Sequence, residues 1–139
     1  MIFVDTSALF AFVDDDDDAH DAAVQYVQEL NAHGRHITSS YVLVELLSLA
    51  HRRLGVGAVR TLDALLEAIE VVWVDAALHR AAMMAVLVGG RSGPSLVDQV
   101  SFELMRQRAM TTAFAFDDDF LAAGLTTVPV AGSTPTPYP

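Results

Sequence analysis

The stretch Met1-Ile2-Phe3-Val4-Asp5-Thr6-Ser7-Ala8-Leu9 decides how the rest of the chain is read. Ile2, Phe3 and Val4 form a short apolar run without polar alternation, the pattern of a strand covered on both faces in a helix-flanked parallel sheet. Asp5 ends the run, and the apolar residues from Ala8 to Val13 pass as a short helix. In open α/β sheets ligands collect beyond the carboxyl ends of the strands, so an acid here stands where chemistry is placed. Asp is equally a common helix cap. On this stretch alone the two readings weigh the same, and partners elsewhere must decide.

The same grammar recurs downstream. His36-Ile37-Thr38 reads as a second strand, and Ser39 and Ser40 as caps for a helix from about Tyr41 to Leu54. Within that helix Glu45 is embedded among Val42, Leu43, Val44, Leu46 and Leu47, a costly place for a charge unless it is paired or binds a cation. Its competing reading is a narrow solvent stripe through Tyr41, Glu45, Ser48 and Arg52. Gly55 and Gly57 break the chain before a second helix carrying Val59, Leu62, Leu65, Leu66 and Ile69, giving a helical hairpin with Arg52, Arg53 and Arg60 along it. Val71 to Val74 reads as the third strand, with Asp75 capping the next helix. Ser95-Leu96-Val97-Asp98 has the form of a capping box, yet Asp98 also heads an apolar stripe through Ser101, Phe102 and Met105. Thr111 to Phe116 reads as the fourth strand, and Asp117, Asp118 and Asp119 follow at its tip, repeating the arrangement at Asp5. Thr126 to Val130 reads as the last strand, with Pro129 restricting it to an edge.

Strands alternating with helices in this way predict a three-layer α/β domain over residues 1–130 with a mostly parallel five-stranded sheet, and residues 131–139 read as a flexible tail. The 139 residues fit one domain, and 53% hydrophobic composition excludes a disordered chain. No apolar stretch reaches the roughly 18 residues of a membrane span, and the start lacks a basic leader region, so a soluble, cytoplasmic protein without membrane contact is expected. With no cysteine, disulfides and thiolate metal sites are excluded. The formal charge is −10, and all eight basic residues are Arg. Such a charge opposes passive nucleic-acid binding but suits a nuclease whose acids hold the ions that face phosphate. The absence of Lys also disfavours phosphoaspartate chemistry of the receiver or haloacid-dehalogenase kind. The run Asp14 to Asp18 reads as a solvated loop, with Asp17 or Asp18 capping the following helix.

Four carboxylates brought to one edge repel each other unless they bind hard cations, and oxygen ligands suit Mg²⁺ or Mn²⁺. The segments Ile2–Leu9, Ser40–Leu47, Ser95–Phe102 and Phe116–Phe120, in this order, resemble the successive motifs of PIN-domain ribonucleases, closest to the VapC-type toxins. The resemblance spans the chain to about Val130. It implies that Asp5, Glu45, Asp98 and Asp117 ligate Mg²⁺ or Mn²⁺ and carry catalysis. Asp117 is selected by the pattern Asp-x-x-Phe, and Asp119 assists through a second ion or a water. Ser7 and Ser101, each close to a ligand in sequence, become supporting donors. It further implies an endoribonuclease acting on structured RNA such as tRNA or rRNA, a homodimer, and a VapB-like antitoxin. An RNA-processing PIN nuclease without antitoxin, or an inactive fold kept for protein binding, are the alternatives.

Overall fold

The computed structural model describes residues 1–130; the expected tail over 131–139 lies outside the described residues. Five short strands, β1 (Ile2–Val4), β2 (His36–Ser39), β3 (Glu70–Val72), β4 (Thr112–Phe114) and β5 (Thr126–Val128), form one sheet in the order β3-β2-β1-β4-β5. Every pairing is parallel, with Phe3 opposite Ile37 on one side and Ala113 on the other. Seven α-helices accompany them: α1 (Thr6–Val13), α2 (His20–Gln28), α3 (Ser40–Leu54), α4 (Val56–Leu66), α5 (Ala76–Gly89), α6 (Leu96–Gln107) and α7 (Asp118–Ala122). The three-layer architecture read from the sequence is the one found.

Alternate strand residues feed two cores, as the period of a pleated strand requires. Val4 and Phe114 pack with Leu9, Tyr26, Leu46 and Leu62 in one layer, whereas Phe3, Ile37 and Ala113 pack with Leu78, Val100, Leu104 and Phe120 in the other. Inside the first layer Tyr26 stacks on Phe114 and its hydroxyl pairs with His36 Nε2 at 2.8 Å. Burial pushes the Tyr26 phenol up to about 12 and holds the His36 imidazole below its ordinary value.

Several boundaries are shorter than the apolar runs suggest. The third strand ends at Val72, and Trp73 is 72% exposed, because the Val74 amide donates to Ser40 Oγ at 2.9 Å instead of to a neighbouring strand. The fourth stops at Phe114, since the Phe116 amide is taken by Ser7 Oγ at 3.0 Å. The fifth ends at Val128 and lies at the sheet edge, as Pro129 requires. The helix after the acid loop ends at Gln28 and is followed by a 3₁₀ turn, Leu30–His33. Between α3 and α4, Gly55 adopts φ +91°, a left-handed conformation that ends α3 with its amide on the Ala50 and His51 carbonyls.

The strand order places the site. From β1 the chain builds outward through β2 and β3, then crosses back to β4 on the other side of β1 and continues to β5. The order therefore reverses between β1 and β4, and their carboxyl ends flank a crevice. One backbone bond, Asp5 N–H to the Phe114 carbonyl at 3.0 Å, holds the two strand tips together there.

Candidate active site

A cavity of about 610 Å³ occupies this crevice and is lined by Asp5, Thr6, Ser7, Asp17, Asp18, Glu45, Ser95, Asp98 and Asp117, with Phe10, Leu49 and Phe116 among its apolar walls. All four acids singled out from the sequence thus meet at one opening. Asp5 arrives from the tip of β1 and Asp117 from the segment after β4. Asp98 lies in the first turn of α6, the helix that leads back toward β4, and Glu45 in the second turn of the helix that follows β2.

The capping and functional readings of these acids prove compatible. Asp5 Oδ2 accepts from the Ser7 amide at 3.1 Å and from Ser7 Oγ at 2.6 Å, so it caps α1 while being only 3% exposed. Burial raises its carboxyl above the ordinary range; the Ser7 bonds oppose the shift and repulsion from Asp117 adds to it. Asp117 caps α7 by accepting the Asp119 amide at 2.9 Å. Asp98 fills only half of its capping box: Ser95 Oγ accepts the Asp98 amide at 3.2 Å, while the Asp98 carboxyl turns to Asp119. Burial pushes Asp98 up to about 7, with repulsion from Asp5, Asp117 and Asp119 adding to the shift.

Asp98, Asp117 and Asp119 each offer a carboxylate oxygen within 4.8 Å of the others, a spacing that allows one metal ion to touch all three. The donor set is oxygen alone and is strained by mutual repulsion, which fits a hard divalent cation. Asp119 therefore lies closer to the centre than its sequence position suggested. Glu45 lines the same cavity from an exposed turn of α3, so the expected burial among aliphatics does not hold. The reason is that Leu46 and Ala50 face inward while Val44 and Glu45 share the open side.

Of the two serines, Ser7 holds a cavity acid directly, through its bonds to Asp5. Ser101 is fully buried, and its hydroxyl donates to the Val97 carbonyl one turn back at 3.0 Å. The acid loop contributes more than sequence foretold, because Asp17 and Asp18 line the cavity. Asp17 Oδ1 accepts the Ala19 amide at 2.9 Å, just ahead of α2, and neither Asp is the helix N-cap. His20 pins the loop, with Nδ1 2.8 Å from the Ala11 carbonyl and Nε2 3.3 Å from Asp15. No local signal in the five-Asp run distinguishes the two that face inward.

An acid-lined crevice at the switch point of this sheet defines the fold class, and residues 2–124 match the PIN domain model. The chain belongs to the PIN domain family. It is 36% identical over 132 residues to the 23S rRNA-specific endonuclease VapC20 of Mycobacterium tuberculosis, spanning 92% of this chain and 98% of that protein. The crystal structure of the same VapC20, described as a sarcin-ricin loop cleaving toxin, superposes with a TM-score of 0.80 at 33% identity over 91% of this chain and 97% of that one. VapBC2 from Rickettsia felis, bound to a DNA fragment from its promoter, gives a TM-score of 0.66 at 16% identity over 91% and 97% of the two chains. FitAcB from Neisseria gonorrhoeae gives 0.64 at 17% over 91% and 96%. At such identities these last two speak for the fold alone.

Proposed function

We propose that this protein is a metal-dependent endoribonuclease and the toxin of a VapBC-like pair. The observation that carries the reading is the convergence of Asp98, Asp117 and Asp119 within 4.8 Å, beside the buried Asp5, at the carboxyl edge of a PIN sheet. Asp5, Asp98 and Asp117 are the proposed ligands, with Asp119 completing the set and Glu45 acting from the rim. Mg²⁺ or Mn²⁺ is the proposed ion, which when bound activates water and stabilises the leaving oxygen of a phosphodiester.

The chain's own part is positioning. Ser7 fixes the rotamer of Asp5, the Asp119 amide fixes Asp117, and Ser95 fixes the first turn of α6 from which Asp98 projects. Pre-set carboxylates of this kind supply electrostatic stabilisation without reorganising during the reaction. The rRNA specificity in the name of the 36% identical relative makes a structured rRNA segment the proposed substrate, which in turn requires a cytoplasmic location. Consistent with that, no helix among the described residues is long and apolar enough to cross a membrane.

The acidic opening suits an Arg side chain from a VapB-like antitoxin, through bidentate pairing. For the homodimer, exposed Met84, Leu87 and Val88 share one face of α5.

Incubation of the protein with total RNA, with and without EDTA and alongside Asp98→Asn, tests the activity. Discrete fragments that vanish with either treatment are the expected result; unchanged RNA in the presence of Mg²⁺ and Mn²⁺ overturns it.

A further inference from the structure

Phe10, Leu49 and Phe116 line the acidic cavity with large apolar side chains that are only partly buried, and none of the three offers an ion a side-chain ligand atom. Each stands beside a residue that does or that orients one. Phe116 directly precedes Asp117, Leu49 lies one turn beyond Glu45 on α3, and Phe10 continues the stripe of α1 that begins with Thr6. The two aromatic rings come from the two strands that flank the crevice. Phe114 and Phe116 share one side of β4 and its extension, so Phe116 is the first of that row to leave the core, and Phe114 braces it at 5.9 Å with the ring planes at 72°. Phe10 packs against the same core from α1, yet stacks on no other ring among the described residues.

An ion and its water need only part of a cavity of about 610 Å³, and apolar walls around a few placed polar groups are what small organic groups bind to. The lining holds six carboxylates and no Arg or His, so without an ion it offers a phosphate little besides repulsion. Stacking on an aromatic ring escapes that repulsion, because every nucleobase presents an uncharged π-face. We infer that Phe10 and Phe116 seat an unstacked nucleobase next to the scissile phosphate, the base lying against the aromatic wall while the phosphate faces the acids. The inference rests on the ribonuclease reading above. It narrows the substrate to RNA whose cleaved strand is free to turn a base out, a loop or bulge and not a continuous duplex.

Short RNAs spanning a cleavage site mapped from total RNA, either intact or with an abasic residue on one or the other side of the scissile bond, test it with the wild type, Phe10→Leu and Phe116→Leu. Leu keeps an apolar wall and removes the π-face. With the wild type, one of the two abasic positions is expected to lower kcat/KM about tenfold, chiefly through KM, as the loss of one stacked base. Each Leu variant lowers kcat/KM severalfold on the intact RNA and loses little more on that abasic RNA, since base and ring report one contact. Both variants keep the rise in melting temperature on adding Mn²⁺. Abasic RNAs cleaved as fast as the intact one overturn the inference. So do losses from base and ring that multiply, which place the base elsewhere, and a lost Mn²⁺ response, which assigns the rings to the ion site. Should one Leu variant prove too unstable to assay, the other variant and the wild type on the abasic RNAs still decide. A wild-type chain that cleaves no RNA instead removes the ribonuclease reading itself, and this inference with it.

Discussion

Ser7 joins Asp5 to the far side of the crevice: its Oγ donates to Asp5 Oδ2 at 2.6 Å and accepts the Phe116 amide at 3.0 Å. One hydroxyl thereby sets the rotamer of a buried acid on β1 and ends the ladder of β4. Replacement by Ala leaves the Phe116 amide short of a partner and Asp5 Oδ2 with only the amide of residue 7. Ser7→Ala is expected to lower unfolding free energy by about 1–3 kcal/mol, read by urea denaturation. It also weakens the response to divalent ions, because Asp5 loses the shorter of the two bonds that orient it. Unchanged midpoints with and without Mn²⁺ would contradict this role.

Carboxylates crowded at the switch point destabilise the metal-free fold and reward an ion that binds it. Millimolar Mg²⁺ or Mn²⁺ is therefore expected to raise the melting temperature, by preferential binding to the folded state. Asp98→Asn or Asp117→Asn removes most of that rise and abolishes cleavage, while Glu45→Gln, acting from an exposed turn, leaves part of it. A full rise in Asp98→Asn is the result that sinks the ligand assignment.

Acidity should modulate the metal-free protein through Asp98. Its carboxyl titrates near 3.8 when unfolded and is pushed up to about 7 in the fold, mainly by burial. Between those values the folded state holds a proton that the unfolded state has released, so stability falls as pH rises across that interval. His36 works the other way, since its depressed value withdraws stability as pH drops below the ordinary imidazole range. Comparing wild type with Asp98→Asn in EDTA cancels the His36 contribution. The expected outcome is a stability gap that favours the Asn variant at about pH 7.5 and closes toward about pH 4. A gap independent of pH would refute the assigned shift.

The acid loop carries a charge prediction. Asp17 and Asp18 line the cavity but lie outside the three-acid cluster, so their effect on RNA is repulsion without compensating metal contact. Asp17→Asn with Asp18→Asn is expected to strengthen RNA binding severalfold at low salt, with the gain fading at high ionic strength. Binding measured by anisotropy at two salt concentrations checks it, and equal affinities at low salt would contradict it.

Much of this was legible in the chain itself. The architecture followed from short apolar runs alternating with helical periods, and Asp5 and Asp117 stood out because each ends such a run. Asp98 was legible as an acid at the head of an apolar stripe. Glu45 was singled out as a charge set among aliphatics and does line the cavity, but the burial expected from that setting failed, since neighbouring aliphatics in sequence point to different sides of a helix. The inward turn of Asp17 and Asp18 had no local signal: it depends on His20 gripping the Ala11 carbonyl, a contact made only once α1 and α2 have packed.

The crossing from β3 back to β4 also governs when the acidic crevice comes into being. Asp5 and Glu45 are synthesised early, but Asp98, Asp117 and Asp119 come from the last third of the chain, and β4 must insert beside β1 before the crevice has two walls. A nascent polypeptide interrupted before that insertion carries Asp5 and Glu45 but no pocket to gather them. On the proposed ribonuclease reading, an unfinished copy of this chain is therefore inert.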